Sequence, residues 1–310
     1  MGVHPLGPVT GGQVPEPPPH GVPSRGAAAW LALARPLQWT KNVFVLAGLV
    51  FSRQFVHPAS LLRAGLAVAA FCLLSSAVYC LNDVVDRRRD RLHPSKRLRP
   101  VASGAVAAPA ALALGALLAL AGLAVSAVLG RSLLAVAAAY LALNGAYSAG
   151  IKHVPLWDAL TVAGGFVLRA LAGTVAVAVP PSPWLLACTY LLTLYMSLGK
   201  RWSDAVDLAP EQAAYRRPAL AYAPAQWHLF MEVTMSAALI AYALYAAQGT
   251  YGPWMLVTLP FVIYGLFRYQ HLVQTRGLGG SPDTAVLRDR AFLLNGAAFG
   301  AVAMAVLLLS

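Results

Sequence analysis

Long apolar segments recur along almost the whole chain, and this repetition restricts its fold more than any other feature. Of the 310 residues, 59% are hydrophobic and only 11% are charged. Soluble domains carry roughly a quarter charged residues, so this composition indicates a lipid bilayer as the solvent. Nine helical spans are predicted, at residues 42–56, 61–81, 106–129, 133–149, 154–179, 184–199, 227–247, 252–268 and 291–309.

The expected fold class is therefore an all-α membrane protein, a bundle of nine transmembrane helices. Residues 1–26 differ from the rest, because they contain seven prolines and six glycines and no apolar run. A segment of this kind cannot bury enough surface to order itself, and we expect a disordered tail. Residues 27–310 are expected to form one transmembrane domain.

The basic residues are distributed unequally between the connections, which predicts the orientation of the bundle. The N-terminal tail and the connections on its side hold nineteen of the 23 Lys and Arg residues. Arg53, Arg63 and Arg131 fall on the opposite side, and Arg169 falls within a span. Because cytoplasmic loops carry the excess of Lys and Arg, we expect a cytoplasmic N-terminus and an outside C-terminus. The expected location is the plasma (inner) membrane.

Acidic residues collect where the second span ends, in "NDVVDRRRD" (82–90). Asp83, Asp86 and Asp90 are three and four residues apart, so a helix would present them on one face, with Asn82 beside them. Like charges on one face repel unless a cation lies between them. Oxygen ligands without His or Cys suit Mg²⁺, which bridges carboxylates to phosphates. The alternative is a solvated helix end offset by the neighbouring arginines.

A second cluster follows the sixth span with the same spacing, in "DAVDLAPE" (204–211). The clusters lie four spans apart and therefore on one side of the membrane, where they would form two halves of one site. Two metal-binding clusters among basic residues are suited to stabilising a diphosphate leaving group. The active site would then face the cytoplasm. The predicted metal ligands are Asn82, Asp83, Asp86, Asp90, Asp204, Asp207 and Glu211, and the first three aspartates are the predicted catalytic residues.

These residues resemble the UbiA superfamily of intramembrane prenyltransferases. "NDVVDRRRD" is similar to its first aspartate-rich motif, and "DAVDLAPE" to its second, with Glu211 in place of the last aspartate. Within the superfamily, "RPLQWTKNVFVLAG", "YSAGIKHVPLWD" and "GKRWSD" resemble the decaprenyl-phosphate phosphoribosyltransferase branch. The resemblance implies a nine-helix fold, a Mg²⁺ cofactor and a lipid-accessible cavity. It also implies transfer of phosphoribose from phosphoribosyl pyrophosphate to a polyprenyl phosphate, with release of pyrophosphate, as a step toward a cell-wall arabinose donor.

Such substrates bring several phosphates, each with about −1.5 to −2 charges, and so need many cations. The candidate substrate-binding residues are Lys41, Lys96, Arg97, Arg99, Lys152, His153, Lys200, Arg201, Arg216 and Arg217. Each of them has the alternative role of a topology signal or a lipid headgroup contact. Tyr147 and the intramembrane charges Asp158 and Arg169 are further candidates. Arg169 could instead pair with a carboxylate such as Glu232.

Two other functions compete with this one. An aromatic prenyltransferase that uses a polyprenyl diphosphate donor would need the same acidic clusters. A transporter or lipid-binding scaffold is disfavoured, because transporters place their acids near the membrane centre, whereas these acids cluster at one interface. We expect no nucleic-acid partner, and the sequence leaves open whether the chain forms a homo-oligomer.

Overall fold

The computed structural model describes residues 26–93, 95–206, 218–248, 252–276 and 289–309. Within these ranges the regular structure is helical and contains no β-strand. Eight of the described α-helices have 18 residues or more and form the bundle. They are α3 (Pro58–Val85), α5 (Ala108–Leu129), α6 (Arg131–Ala149), α7 (Trp157–Ala176), α8 (Pro183–Val206), α9 (Pro224–Gln248), α10 (Leu259–Arg276) and α11 (Arg290–Leu309).

Six described helices, α3, α5, α6, α7, α9 and α11, are long and apolar enough to cross a membrane. The other two long helices carry polar residues toward one end, such as Lys200 and Arg201 in α8 and Arg268 in α10. In the bundle, α3 packs against α5, and α8 packs against both α7 and α9. The all-helical architecture agrees with the sequence prediction, while the count of nine spans and the orientation of the termini stay predictions.

The first predicted span, 42–56, is not one α-helix. A short α-helix, α1 (Ala27–Ala34), is followed by a 3-10 helix at Pro36–Leu46 and by α2 (Ala47–Phe51). Such a long 3-10 helix is uncommon and needs support from tertiary contacts. We refer to Pro36–Phe51 as the first segment. The predicted span at 252–268 is similarly divided, into a 3-10 helix at Gly252–Thr258 and the start of α10.

Two glycines allow the first segment to lie directly against α7. A Cβ atom on Gly48 would come within 2.6 Å of the backbone nitrogen of Thr174, and one on Gly173 would overlap the carbonyl oxygen of Val45. Small residues permit this close approach of backbones, which supplies packing energy where lipid replaces water. Gly48 and Gly173 therefore serve the packing of the first segment on α7.

Arg63 in α3 joins the ends of two other helices. Its guanidinium donates hydrogen bonds to the carbonyl oxygens of Ala176 and Leu129, at 2.6 and 3.0 Å. These are the last residues of α7 and α5, whose carbonyl groups have no partner within their own helices. A cation at a helix C-terminus also interacts favourably with the helix dipole. Arg63 therefore has a structural role at the end of the bundle away from the acidic clusters.

The helices that carry the acidic clusters are longer than predicted. α3 continues to Val85 rather than ending at residue 81, and α8 continues to Val206 rather than ending at residue 199. A four-residue helix, α4 (Arg87–Asp90), follows α3 after a break at Asp86. Helical structure thus fixes the directions of the acidic side chains that lie within these helices, Asp83, Asp90 and Asp204.

Candidate active site

The first acidic cluster lies on the last turn of α3 and on α4. Asp83 and Asp90 are buried, with 1% and 2% of their surface exposed, whereas Asp86 is half-buried at the break between the helices. Charged groups are almost never buried to this degree without partners. The surrounding basic residues therefore decide how the cluster is stabilised.

Asp83 and Asp90 share one arginine from the loop that follows α4. The Nη1 atom of Arg99 lies 2.7 Å from Asp90 Oδ2 and 3.6 Å from Asp83 Oδ1. Arg35, between α1 and the first segment, also contacts Asp83 Oδ1, and its guanidinium lies over the ring of Tyr79. The spacing of seven residues thus brings two of the three predicted carboxylates to one guanidinium, whereas Asp86, at the break between α3 and α4, contacts Lys152 instead.

Asn82 and Asp86 contact the end of α6 and the connection between α6 and α7. Asp86 Oδ1 lies 2.6 Å from Lys152 Nζ, and the side-chain oxygen of Asn82 accepts a hydrogen bond from the hydroxyl of Ser148. The adjacent Arg89 is 3.4 Å from the ring of His153. Predicted residues that are far apart in sequence therefore meet at this end of the bundle.

The described part of the second cluster is organised around Arg201. Its guanidinium contacts Asp158, the second residue of α7, and lies 3.3 Å from Asp204. Asp158 is fully buried and Asp204 is 4% exposed, so both carboxylates need nearby cations, and Arg201 is one that they share. Asp207, Glu211, Arg216 and Arg217 lie outside the described residues.

The first cluster and the described part of the second belong to one end of the bundle. Tyr147, near the end of α6, interacts electrostatically with Arg201, with Asp158 and also with Asp86 of the first cluster. Lys200 of α8 interacts in the same way with Lys41 of the first segment and with Lys96 of the loop after α4. We refer to the described part of this assembly as the charged end; Asp83, Asp86, Lys152, Asp158 and Arg201 define it. The neighbouring Arg97 is exposed.

Arg169 lies apart from the charged end. Its guanidinium donates hydrogen bonds to Asn42 at 2.9 Å, Tyr140 at 2.8 Å and the carbonyl oxygen of Gly165 at 3.0 Å. Within the described residues it forms no ion pair with Glu232, which instead contacts His228 at 3.3 Å. The suggested pairing with Glu232 is therefore wrong, because Arg169 is buried among neutral acceptors, whereas Glu232 is about half exposed.

The donor set at the charged end fits a divalent cation, although no complete site is formed by the described residues alone. No group of three or more His, Cys, Asp or Glu side chains within them could hold a metal ion. However, Oδ2 of Asp83 is buried without a hydrogen-bond partner among the same residues. Leaving such an atom unsatisfied costs about 1–3 kcal/mol. If Asp83 Oδ2 bound Mg²⁺, the ion would satisfy this oxygen and remove that cost.

An apolar cavity of about 350 Å³ lies between the first segment and the helices α8, α9, α10 and α11. Polar side chains in its wall turn toward the backbone: Tyr195 donates to Leu266, and Tyr269 donates to Met196. Because these hydroxyl groups are satisfied internally, the wall offers a ligand an almost wholly apolar surface. Hydrocarbon is the chemistry that such a wall accommodates. The lining includes Phe44, Ala47, Phe51, Leu192, Met196, Tyr245, Phe292, Gly296 and Phe299.

Several residues of these networks were not among the predicted site residues. The sequence places Arg35 within a segment that resembles the family, and the Arg-Pro pair before an apolar span is a visible signal of a role at the site. Ser148, Asn42 and Tyr140 give no such signal, because a Ser, Asn or Tyr near a span has many uses. Only the fold shows which charged groups they contact.

An apolar cavity beside an assembly of paired acids and bases is the architecture of an intramembrane enzyme that acts on an amphiphilic phosphate. Residues 42–296 match the UbiA prenyltransferase family, and the chain belongs to this family. It is accordingly an enzyme of that family and a multi-pass membrane protein, as the six apolar helices also indicate.

Relatives with assigned names are similar to most of the chain. A decaprenyl-phosphate phosphoribosyltransferase of Corynebacterium glutamicum is 33% identical over 278 residues, which are 86% of this chain and 83% of that protein. The protein of the same name from Mycobacterium tuberculosis is 33% identical over 88% of this chain and 92% of its own length. A UbiA homologue from Archaeoglobus fulgidus, solved with GPP and Mg²⁺, has the same fold: the TM-score is 0.72 at 20% identity, covering 90% of this chain and 99% of that one.

Proposed function

We propose that the protein transfers 5-phosphoribose from phosphoribosyl pyrophosphate to a polyprenyl phosphate and releases pyrophosphate. The observation that carries this proposal is the position of the first acidic cluster, Asp158, Asp204 and at least six basic residues at one end of the bundle, beside an apolar cavity. A diphosphate needs the first feature, and a polyprenyl tail needs the second. The names of the relatives that cover most of the chain support the same substrates.

In this proposal the reaction is a displacement at the anomeric carbon of the ribose. The acceptor phosphate oxygen forms a bond to that carbon while the bond from the carbon to the pyrophosphate oxygen breaks, and its electron pair leaves with pyrophosphate. The acceptor phosphate is already an anion near neutral pH, so no general base has to remove a proton. The task of the protein is therefore to orient the two substrates and to stabilise charge.

The arginines and lysines of the charged end supply part of that stabilisation. Arg35 and Arg99 are held against Asp83 and so have guanidinium groups in place beside the proposed metal ligands. Lys152 has the same relation to Asp86. Forked guanidinium groups bind phosphate oxygens in pairs, which fixes orientation as well as charge. These side chains would hold the departing pyrophosphate.

Mg²⁺ is the proposed cofactor, with Asn82, Asp83, Asp86, Asp90 and Asp204 as its described candidate ligands and Asp207 and Glu211 as the remaining ones. When bound, it supplies positive charge for the leaving group. Treatment of the purified enzyme with EDTA should abolish turnover, and added Mg²⁺ should restore it. Full activity after exhaustive chelation would contradict a metal requirement.

The direct test of function uses labelled phosphoribosyl pyrophosphate and a short polyprenyl phosphate with the purified protein. The expected result is a labelled lipid product together with pyrophosphate, formed in equal amounts. Turnover that occurs only with a prenyl diphosphate and an aromatic acid would instead support the alternative, an aromatic prenyltransferase of the same family. Solute uptake by proteoliposomes without any turnover would support a transporter.

We place the charged end on the cytoplasmic side of the plasma membrane, because nineteen of the 23 Lys and Arg residues belong to that side in the nine-span arrangement. A cysteine that replaces the exposed Arg97 should then react with a membrane-impermeant thiol reagent only after the cells are opened. Labelling in intact cells would reverse the proposed orientation.

A further inference from the structure

Two walls of the apolar cavity end in a lysine at the charged end. In the first segment, Lys41, Phe44 and Ala47 follow one another at intervals of three residues. Residues i and i+3 of a 3-10 helix lie directly above one another, and Phe44 and Ala47 both line the cavity. Lys41 therefore continues the cavity face of the first segment by one turn.

The same relation holds in α8. Leu192 and Met196 line the cavity, and Lys200 follows Met196 by four residues, which is one turn on the same face of an α-helix. Lys200 is also within electrostatic range of Lys41. Two independent stripes of cavity-lining residues thus each end in a lysine at the charged end, and the two lysines influence each other electrostatically.

Two acidic residues near this position that the structure describes, Asp204 and Asp289, each contact an arginine. Asp204 interacts with Lys200, but it also lies 3.3 Å from Arg201. Asp289 stands three residues before the cavity-lining Phe292, and Arg268 holds it with two hydrogen bonds, at 3.1 and 2.8 Å. The charge of each of these two carboxylates is therefore partly balanced by an arginine.

We propose that Lys41 and Lys200 bind the phosphate of the polyprenyl phosphate acceptor, whose first isoprene units occupy the apolar cavity. The aspartates of α3 and α4, with Arg35, Arg99 and Lys152, then remain for the diphosphate of the donor. This assignment rests on the proposed function, because it divides that function's two substrates between two groups of basic residues. Each stripe is a row of apolar residues that ends in a lysine, and this pattern fits a ligand with an anionic head attached to a hydrocarbon tail.

The test measures binding without turnover, using farnesyl phosphate, farnesol and Mg²⁺–phosphoribosyl pyrophosphate as separate probes. Lys41→Met and Lys200→Met keep much of the apolar stem and remove the charge. Each should raise the Kd of farnesyl phosphate about tenfold, the value of one charged hydrogen bond. Binding of farnesol should be unchanged, and the Kd of phosphoribosyl pyrophosphate should change by less than about threefold, as expected for a more distant charge.

Matched variants separate this site from general effects of charge and folding. Arg88→Met removes an exposed charge between the first-cluster aspartates but on neither cavity stripe, and it should leave farnesyl phosphate binding unchanged. Lys200→Arg retains the charge and should bind farnesyl phosphate within about threefold of the original protein. An equal loss of farnesol binding in Lys41→Met and Lys200→Met would overturn the proposal, because it would show a packing defect.

The assignment would also be overturned if Lys41→Met and Lys200→Met weakened binding of phosphoribosyl pyrophosphate and left farnesyl phosphate unaffected. Failure of the proposed function has a different signature. If farnesyl phosphate binding depends on both lysines while no phosphoribose is transferred, the lipid-phosphate site stands and the reaction is a different one.

Discussion

Lys152 Nζ lies 2.6 Å from Asp86 Oδ1, which joins the connection between α6 and α7 to the middle aspartate of the first cluster. The lysine side chain is 11% exposed and that of Asp86 is 24% exposed, so the pair is shielded from water on most sides. A cation fixed at this position is available to a phosphate bound beside Asp86. The contact therefore relates one of the predicted substrate-binding residues directly to a predicted metal ligand.

Replacement of Lys152 by Met should weaken donor binding. Loss of one charged hydrogen bond to a phosphate corresponds to about 1.5–3 kcal/mol, or roughly ten- to a hundredfold in affinity. We expect the KM for phosphoribosyl pyrophosphate to rise by that factor, with a smaller change in the KM for the lipid acceptor. Steady-state kinetics with each substrate varied in turn provides the measurement. A larger rise in the KM for the lipid acceptor than in the KM for phosphoribosyl pyrophosphate would show that Lys152 binds the acceptor and not the donor.

Asp83→Asn should abolish turnover while the protein remains folded. The substitution keeps the shape of the side chain but removes the charge that faces Arg35 and Arg99 and the oxygen that fits a metal. Asp86→Asn should also abolish turnover, because it removes a carboxylate oxygen that is a proposed metal ligand. Activity is followed with labelled phosphoribosyl pyrophosphate, and size-exclusion chromatography in detergent checks the fold. Substantial turnover in both variants would remove the support for a metal-assisted reaction.

Much of the charged end could be predicted, because the spacing of acidic residues within a short stretch of sequence indicates which of them share a helix face. The interval from Asp83 to Asp90 predicts a shared face, and the structure brings both residues to Arg99. The partners of Asp158 and Arg169 could not be predicted in this way. Asp158 meets Arg201 of the following helix, and Arg169 meets Asn42, which is 127 residues away in sequence. Such pairs depend on how the helices pack.

The first segment shows a second limit of the sequence. Its apolar residues predict a span, but hydropathy does not distinguish a 3-10 helix from an α-helix. The 3-10 geometry at Pro36–Leu46 is accompanied by long-range contacts, including the buried Asn42 with Arg169 and the approach of Val45 to Gly173. Helix type therefore follows here from packing against α7, which is information that local propensity does not contain.

Arg201→Met should destabilise the protein strongly. Arg201 contacts the fully buried Asp158 and lies 3.3 Å from Asp204, so its loss leaves Asp158 without this ion pair and removes one of the cations beside Asp204. Breaking a buried ion pair from one side typically costs about 3–5 kcal/mol. Thermal unfolding in detergent should show a clear decrease in Tm relative to the original protein.

The double variant Arg201→Met with Asp158→Asn tests the cause of that decrease. It removes the charge that Arg201→Met leaves uncompensated at Asp158, and we expect it to recover part of the lost stability. If the double variant is less stable than Arg201→Met by the full effect of Asp158→Asn alone, the two side chains do not interact energetically. In that case the contact in the structure would contribute little to folding.

Gly173→Ala should separate the first segment from α7. The added Cβ would overlap the carbonyl oxygen of Val45, which belongs to a backbone and cannot rotate away as a flexible side chain can. Overpacking of this kind typically costs about 1–3 kcal/mol. Because the shift would also move Lys41 relative to Lys200, the acceptor KM should rise together with the loss of stability.

The matched control is Gly145→Ala in α6, where a Cβ meets nothing within 4 Å and the helix gains propensity. Equal Tm values for the two variants would show that the backbone contact at Gly173 does not hold the first segment in place.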